Sequence, residues 1–312
     1  MIETPKLAII GAGAVGTSLA YAALIRATAR EVVIYDHARE KVEAEVLDLA
    51  HGTQFTSGTI SGGADLAVIE GAHLVVITAG AKQQPGQSRL DLAGTNVRML
   101  ETLLPRLLER APEAIFLLVT NPVDVLTFAA QQITGLPAAR VFGSGTVLDT
   151  SRLRWLLARR AGVATTSVHA DIIGEHGDTE FPLWSQARIG PVPLLSWQSD
   201  NPFAATELDS LAAEIRDAAY AVIRGKGATN YAIGLAGARI AEAVLRDEQA
   251  VLPVSCLQNG LYGVDSVALS VPSRVGRDGA VPIAETPMSD EEVTRLHASA
   301  DALRAAGTSL GL

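Results

Sequence analysis

Short apolar runs and helix-length segments alternate through the first half of this chain, and that alternation limits its fold more than any other feature. The strand-length runs are Lys6–Ile10, Glu31–Tyr35, His73–Thr78, Ala114–Thr120 and Arg140–Phe142. Between them, helical patterns cover Val15–Ala27, Arg39–His51, Asp91–Glu109 and Pro122–Gln132. The runs are continuous in Val, Ile and Leu, as strands covered on both faces are. Strand, helix and strand in steady repetition predict a doubly wound parallel sheet.

The second half reads differently. A helix is expected over Asp149–Arg160, then strand-like pieces at Ser167–Ile173 and Ala187–Ile189. Helices at Glu207–Arg224 and Tyr231–Arg246 precede strands near Val251–Cys256 and Ser266–Ser270. A closing helix spans Ser289–Ala306, with Ser289 as N-cap and Glu292 three residues on, the capping-box spacing. These features predict an α+β unit with antiparallel strands, so residues 1–143 and 144–312 are expected to form two domains meeting near Gly143.

Hydrophobic residues at 48% and charged residues at 19% are those of a folded globular protein rather than a disordered one. A net charge of -9 without a sustained basic run argues against nucleic acid as the main partner. Cys256 is the only cysteine, so no intrachain disulfide can form, and a reducing cytoplasm is expected. Met1–Lys6 passes at once into a short apolar run, so neither a secretory leader nor a membrane span is expected.

Gly11-Ala12-Gly13-Ala14-Val15-Gly16 follows the first strand and opens the first helix. The first glycine allows a tight turn, the second a close approach of pyrophosphate, and the third close helix packing. The helix start offers free N–H groups to the phosphates. Asp36, at the end of the second strand, is placed to bind a ribose diol and to repel a 2′-phosphate, so NAD is expected over NADP. Thr78-Ala79-Gly80 closes the next apolar run with small residues suited to a passing cofactor. Asn121, in Thr120-Asn121-Pro122-Val123-Asp124, either serves the nicotinamide and substrate or caps a helix with proline at its first position.

Gly174-Glu175-His176-Gly177-Asp178 sets one histidine among glycines and carboxylates, where an imidazole can exchange a proton at cellular pH. Asp149 and Arg152 share one helix face by their i,i+3 spacing. Arg89 ends a polar Pro/Gly-containing loop, Gln83–Ser88, that has the composition of a lid. A base, a polarising cation and an anchoring cation together suit hydride exchange between NAD and a hydroxy acid. No metal is required.

The motifs GAGAVG, TAGAKQQPGQSRLDL, TNPVDVLT, GSGTVLDTSRLR, IIGEHGDTE and KGATNYAIG stand in this order along nearly the whole chain. In them the chain resembles the NAD-dependent lactate/malate dehydrogenase family of bacterial type, and within it the lactate branch. The resemblance implies a Rossmann-type first domain and a substrate domain. It also implies reversible hydride transfer between NADH and pyruvate giving L-lactate, as in glycolysis and fermentation. His176 would be the acid/base, oriented by Asp149; Arg152 would grip the substrate carboxylate and Arg89 polarise the carbonyl. Asn121 and Thr229 would line the nicotinamide and substrate pocket. Gln83 would select pyruvate, because a second substrate carboxylate calls for arginine there. Spacing to Pro85-Gly86 and Arg89 favours Gln83 over Lys82 as that position. The family implies dimers or tetramers, with a homotetramer expected here. Arg154 and His169 match the positions through which many members take fructose 1,6-bisphosphate, but Asp171 stands where tyrosine is more usual.

Overall fold

Six parallel strands are laid down in the order expected of a chain that winds both ways from its first strand. In the computed structural model, which describes residues 4–81, 89–198 and 200–312, β1 (Lys6–Ile10) is central. On one side of it lie β2 (Glu31–Tyr35) and β3 (Thr59–Gly63); on the other, β4 (Leu74–Ile77), β5 (Ile115–Leu118) and β6 (Val141–Gly143). All these pairings are parallel. The winding therefore reverses between β1 and β4, and the carboxyl ends of these two strands flank the crevice where such sheets hold ligands.

The helices between the strands are α1 (Ala14–Ile25), α2 (Arg39–His51), α3 (Arg89–Arg110) and α4 (Val123–Thr134). Both faces of the sheet are dry. Leu7, Ile9, Leu74, Val76 and Leu117 belong to one buried cluster, while Ala8, Ile10, Val75, Ile77, Phe116 and Leu118 belong to the other. Successive residues point to opposite faces, so a strand covered twice must be apolar throughout.

After β6 come α5 (Val147–Ala161), β7 (Val168–His169), β8 (Ile172–Ile173), β9 (Phe181–Pro182), β10 (Arg188–Ile189) and β11 (Val192–Pro193). Next are α6 (Ala205–Lys226), α7 (Tyr231–Leu245), β12 (Ala250–Asn259), β13 (Asp265–Gly276), β14 (Gly279–Pro282) and α8 (Asp290–Ser309). The expected antiparallel strands are present, and β12 joins β6 at Ser255–Gly143, so β12, β13 and β14 extend the parallel sheet to nine strands. Helix α7 packs on α1 so closely that a Cβ on Gly234 would lie 2.8 Å from the backbone of Ser18.

Three expectations about elements change. The edge strand β3, Thr-Ile-Ser-Gly-Gly, was not expected, because it lacks the apolar run that marks its buried neighbours. Ser167–Ile173 is not one strand: β7 pairs with β10 and β8 with β9, leaving Asp171 between them. Strand β13 runs past Ser270 through Pro272, which lies opposite Pro253, because a proline ends a strand only where the ladder needs its N–H. Cys256 is buried, and burial pushes its thiol up to about 12, which suits an inert core residue. No helix among the described residues is long and apolar enough to cross a membrane.

Candidate active site

The turn between β1 and α1 is built around its glycines. Gly11 has φ +112, and a Cβ there would sit 2.8 Å from the Ala79 backbone nitrogen. A Cβ on Gly16 would lie 2.0 Å from the Gly11 carbonyl oxygen and 2.8 Å from Thr78 Oγ1. At Gly13, by contrast, a Cβ would meet nothing within 4 Å. That open position lies at the N-cap of α1, where the first N–H groups, those of Ala14 and Val15 included, lack helical partners. The Thr78 hydroxyl donates to the carbonyls of Ile10 and Gly11, at 3.0 and 3.2 Å, tying the two strand ends together. Asp36 accepts the Ala12 N–H at 2.8 Å and the Ala38 N–H at 3.0 Å, which fixes its carboxylate beside the glycine turn. An open phosphate cradle bordered by an acid at the end of β2 fits NAD.

Asn96, buried on α3, joins the ends of β4 and β5. Its Oδ1 accepts the Ala81 N–H at 2.8 Å and its Nδ2 donates to the Asn121 carbonyl at 2.9 Å. It was not singled out in the sequence, although an asparagine inside a helix is a usable signal, since that residue type prefers caps and turns. Asn121 lies outside α4, and its Oδ1 accepts the Val123 N–H at 3.3 Å. Pro122, rather than the first helical residue, is the N-cap of α4.

The His176 cluster is assembled from three elements. Asp149 sits in the first turn of α5, 1% exposed, and Arg152 donates to its Oδ1 at 2.5 Å. Its Oδ2 lies 2.6 Å from His176 Nδ1. His176 is carried on the loop between β8 and β9, and its backbone N–H donates to Asp124 Oδ2 on α4 at 2.6 Å. The start of that loop is held by Gly174, φ +91, which exchanges backbone hydrogen bonds of 2.9 Å with Ser270. Glu175 N–H donates to Ser299 Oγ on α8 at 2.7 Å. With Nδ1–H directed at Asp149, the Nε2 edge of the imidazole points away from that carboxylate.

The electrostatics follow from burial and from the company His176 keeps. Burial opposes its charge, but Asp149, by charge and hydrogen bond, and then Glu180 and Asp124, push the imidazole up to about 9. Burial likewise disfavours ionised Asp149, yet His176 and Arg152 outweigh it and hold that carboxyl below its usual range. Asp124 is raised to about 6 by burial, and Glu180 to about 8 by burial and by the charge of Asp149. Asp124 and Glu180 were not assigned as site residues from the sequence, although each closes a motif quoted there, TNPVD and GEHGDTE.

The structure thus brings His176, Asp149 and Arg152 together. Gln83 lies outside the described residues, as does the side chain of Arg89, whose backbone begins α3. Thr229 lies in the connection between α6 and α7, half-buried, and no hydrogen bond among the described residues joins it to His176. Arg154 is engaged within the chain: Nε–H donates to the Ala170 carbonyl at 2.9 Å and an Nη to Asp171 at 2.8 Å. His169 is exposed on β7.

Two family descriptions cover almost the whole chain. "Lactate/malate dehydrogenase, NAD binding domain" matches residues 5–143, and "lactate/malate dehydrogenase, alpha/beta C-terminal domain" matches residues 146–309. The L-lactate dehydrogenase of Bifidobacterium animalis subsp. lactis (strain AD011) is 49% identical, over 99% of this chain and 98% of its own. That of Synechococcus sp. (strain JA-3-3Ab) is 48% identical, over 96% of this chain and 97% of its own. Among solved structures, the minor L-lactate dehydrogenase of Enterococcus mundtii superposes with a TM-score of 0.94 at 39% identity, covering 98% of each chain. MGS-M5, a lactate dehydrogenase from a Medee basin deep-sea metagenome library, gives 0.94 at 36%, covering 99% of each. With the glycine turn, Asp36 and the His176–Asp149 pair in place, the chain belongs to the lactate/malate dehydrogenase family.

Proposed function

We propose that this protein is an NAD-dependent L-lactate dehydrogenase that reduces pyruvate reversibly, with His176 as the acid/base. The observation that carries the reading is the buried 2.6 Å contact between His176 Nδ1 and Asp149, with Arg152 on the next turn of the same helix. NADH, when bound, supplies the hydride. Gly11, Gly13, Ala14, Val15, Gly16 and Asp36 would hold it, with Thr78, Ala79, Gly80 and Asn121 along the crevice. His176 enters as imidazolium, gives its Nε2 proton to the carbonyl oxygen, and Asp149 stabilises the charged ring until then. The N–H groups of Arg152 not used by Asp149 would take the pyruvate carboxylate in a paired contact. Arg89 would polarise the carbonyl, and Gln83 and Thr229 would line the pocket. The division into a cofactor domain, 1–143, and a substrate domain, 144–312, is supported by the end of β6 at Gly143 and the start of α5 at Val147.

A cytoplasmic homotetramer is our reading of the assembly and compartment, supported by apolar side chains such as Ile25, Leu47, Phe55 and Leu235 that stand exposed on a single chain. Arg154 and His169 remain the proposed effector position, where a sugar bisphosphate would have to displace Asp171 from Arg154. Steady-state NADH oxidation with pyruvate and with oxaloacetate, each with and without fructose 1,6-bisphosphate, tests the reading. A large preference for pyruvate, reversed toward oxaloacetate by Gln83→Arg, is the expected result. Preference of the unaltered protein for oxaloacetate would assign it to malate instead.

A further inference from the structure

The loop that carries His176 also brings a second carboxyl back to it. Strand β8 ends at Ile173 and β9 begins at Phe181, and these two residues are register partners. The segment 174–180 is therefore a closed hairpin loop, and its last residue, Glu180, is returned to the level of its first. Glu180 is 4% exposed, and its Oε2 lies 3.9 Å from His176 Nδ1, on the ring edge that faces Asp149. Its Oε1 finds no hydrogen-bond partner among the described residues. One ligand atom from each of Asp149, His176 and Glu180 lies within 4.8 Å of the others. A buried carboxyl without its full set of hydrogen bonds is costly, and such groups gather where their charge is used.

We propose that Glu180 is a positioning residue for proton transfer, a second carboxylate that supports Asp149 in holding the His176 imidazolium. The proposal rests on the reading of His176 as the acid/base. The charged groups acting on Glu180 are Asp149, His176, Arg152 and, from α6, Arg216. Asp124 acts on the imidazole from α4. Burial and Asp149 push Glu180 up to about 8, and His176 stands at about 9. Both groups are pushed into the same alkaline range and face each other across 3.9 Å, so the charge on Glu180 and the proton on His176 are linked.

The test compares the unaltered protein with Glu180→Gln, which keeps size and removes the charge, and with Glu180→Asp, which keeps the charge on a shorter stem. The first readout needs no turnover: the pH dependence of diethyl pyrocarbonate acylation of the His176 peptide, followed by mass spectrometry, reports the neutral imidazole. The second is the pH profile of kcat/KM for pyruvate reduction. In Glu180→Gln the acylation midpoint and the alkaline limb of the profile should both fall by at least about half a pH unit. Glu180→Asp should recover part of the shift. An unchanged acylation midpoint in Glu180→Gln overturns the proposal while leaving the dehydrogenase reading intact. Absence of pyruvate reduction by the unaltered protein would remove that reading, and the acylation midpoint would still decide whether Glu180 holds the imidazolium.

Discussion

At the scale of the residue, Asp149 has two cationic neighbours that both favour its ionised form. Its Oδ1 neutralises Arg152 and its Oδ2 orients His176, and both contacts are shielded from water. An asparagine would keep the shape and remove the charge that makes the imidazolium stable. Asp149→Asn is therefore expected to lower kcat/KM for pyruvate by roughly two to four orders of magnitude. It should leave the dissociation constant for NADH, measured by fluorescence titration, nearly unchanged, because the glycine turn and Asp36 are untouched. Equal losses in both would mean that Asp149 supports the fold rather than the proton. Much of this cluster was legible in the sequence: the i,i+3 pair on one helix and the glycine-flanked histidine are local patterns. Glu180 and Asp124 were not, since their importance arises only when a hairpin and a distant helix bring them against the imidazole. Neither residue differs in sequence from an ordinary surface acid.

At the scale of the element, helix α8 links a local capping motif to the loop that carries His176. Ser289 Oγ accepts the Glu292 N–H at 3.3 Å, and Glu292 accepts the Ser289 N–H at 2.8 Å. The same glutamate accepts from Ser185 N–H at 2.9 Å and Ser185 Oγ at 2.6 Å, so the cap also anchors the segment after β9. Further along the helix, the fully buried Ser299 accepts the Glu175 N–H and shares a 2.9 Å hydrogen bond with the Thr179 hydroxyl. Ser289→Ala should lower stability by about 1 kcal/mol with turnover preserved, because Glu292 keeps Ser185. Ser299→Ala leaves a loop N–H without its acceptor, which costs about 1–3 kcal/mol, and should depress kcat for pyruvate as well. Thermal melting beside pyruvate kinetics separates the two; a Ser299→Ala enzyme with full kcat would show that the loop keeps its geometry without α8. The capping box could be read in advance because it is a four-residue signal. The buried strands were equally clear, as their two-sided burial demands unbroken apolar runs. Strand β3 escaped notice because an edge strand can be built from Thr, Ser and Gly, and the break at Asp171 because only pairing partners separate β7 from β8.

For the molecule as a whole, the buried site acts on stability through its protons. The folded protein holds the His176 proton up to about pH 9, whereas an ordinary imidazole releases it near 6.5. Its contribution is therefore complete below about pH 6.5 and is lost as pH rises through 9, a change on the order of 3 kcal/mol. Glu180 and Asp124 have the same sign. Each is raised, from 4.5 to about 8 and from 3.8 to about 6, so the folded chain keeps protons that the unfolded chain gives up, and stability falls as pH climbs through those ranges. Asp149 has the opposite sign: its carboxyl is depressed, so its contribution is present above 3.8 and lost on acidification. These groups together favour the mildly acidic range and weaken the fold toward alkaline pH. A chain with net charge -9 also repels itself more as pH rises, which moves stability in the same direction and could hide the site. His176→Asn separates the two, because it leaves the surface charge in place and removes the titrating ring. Melting temperature should fall between pH 6.5 and 9 in the unaltered protein and fall less in His176→Asn. Parallel curves would assign the alkaline loss to the surface charge and to Glu180, and the imidazole would then hold its proton no more tightly folded than unfolded.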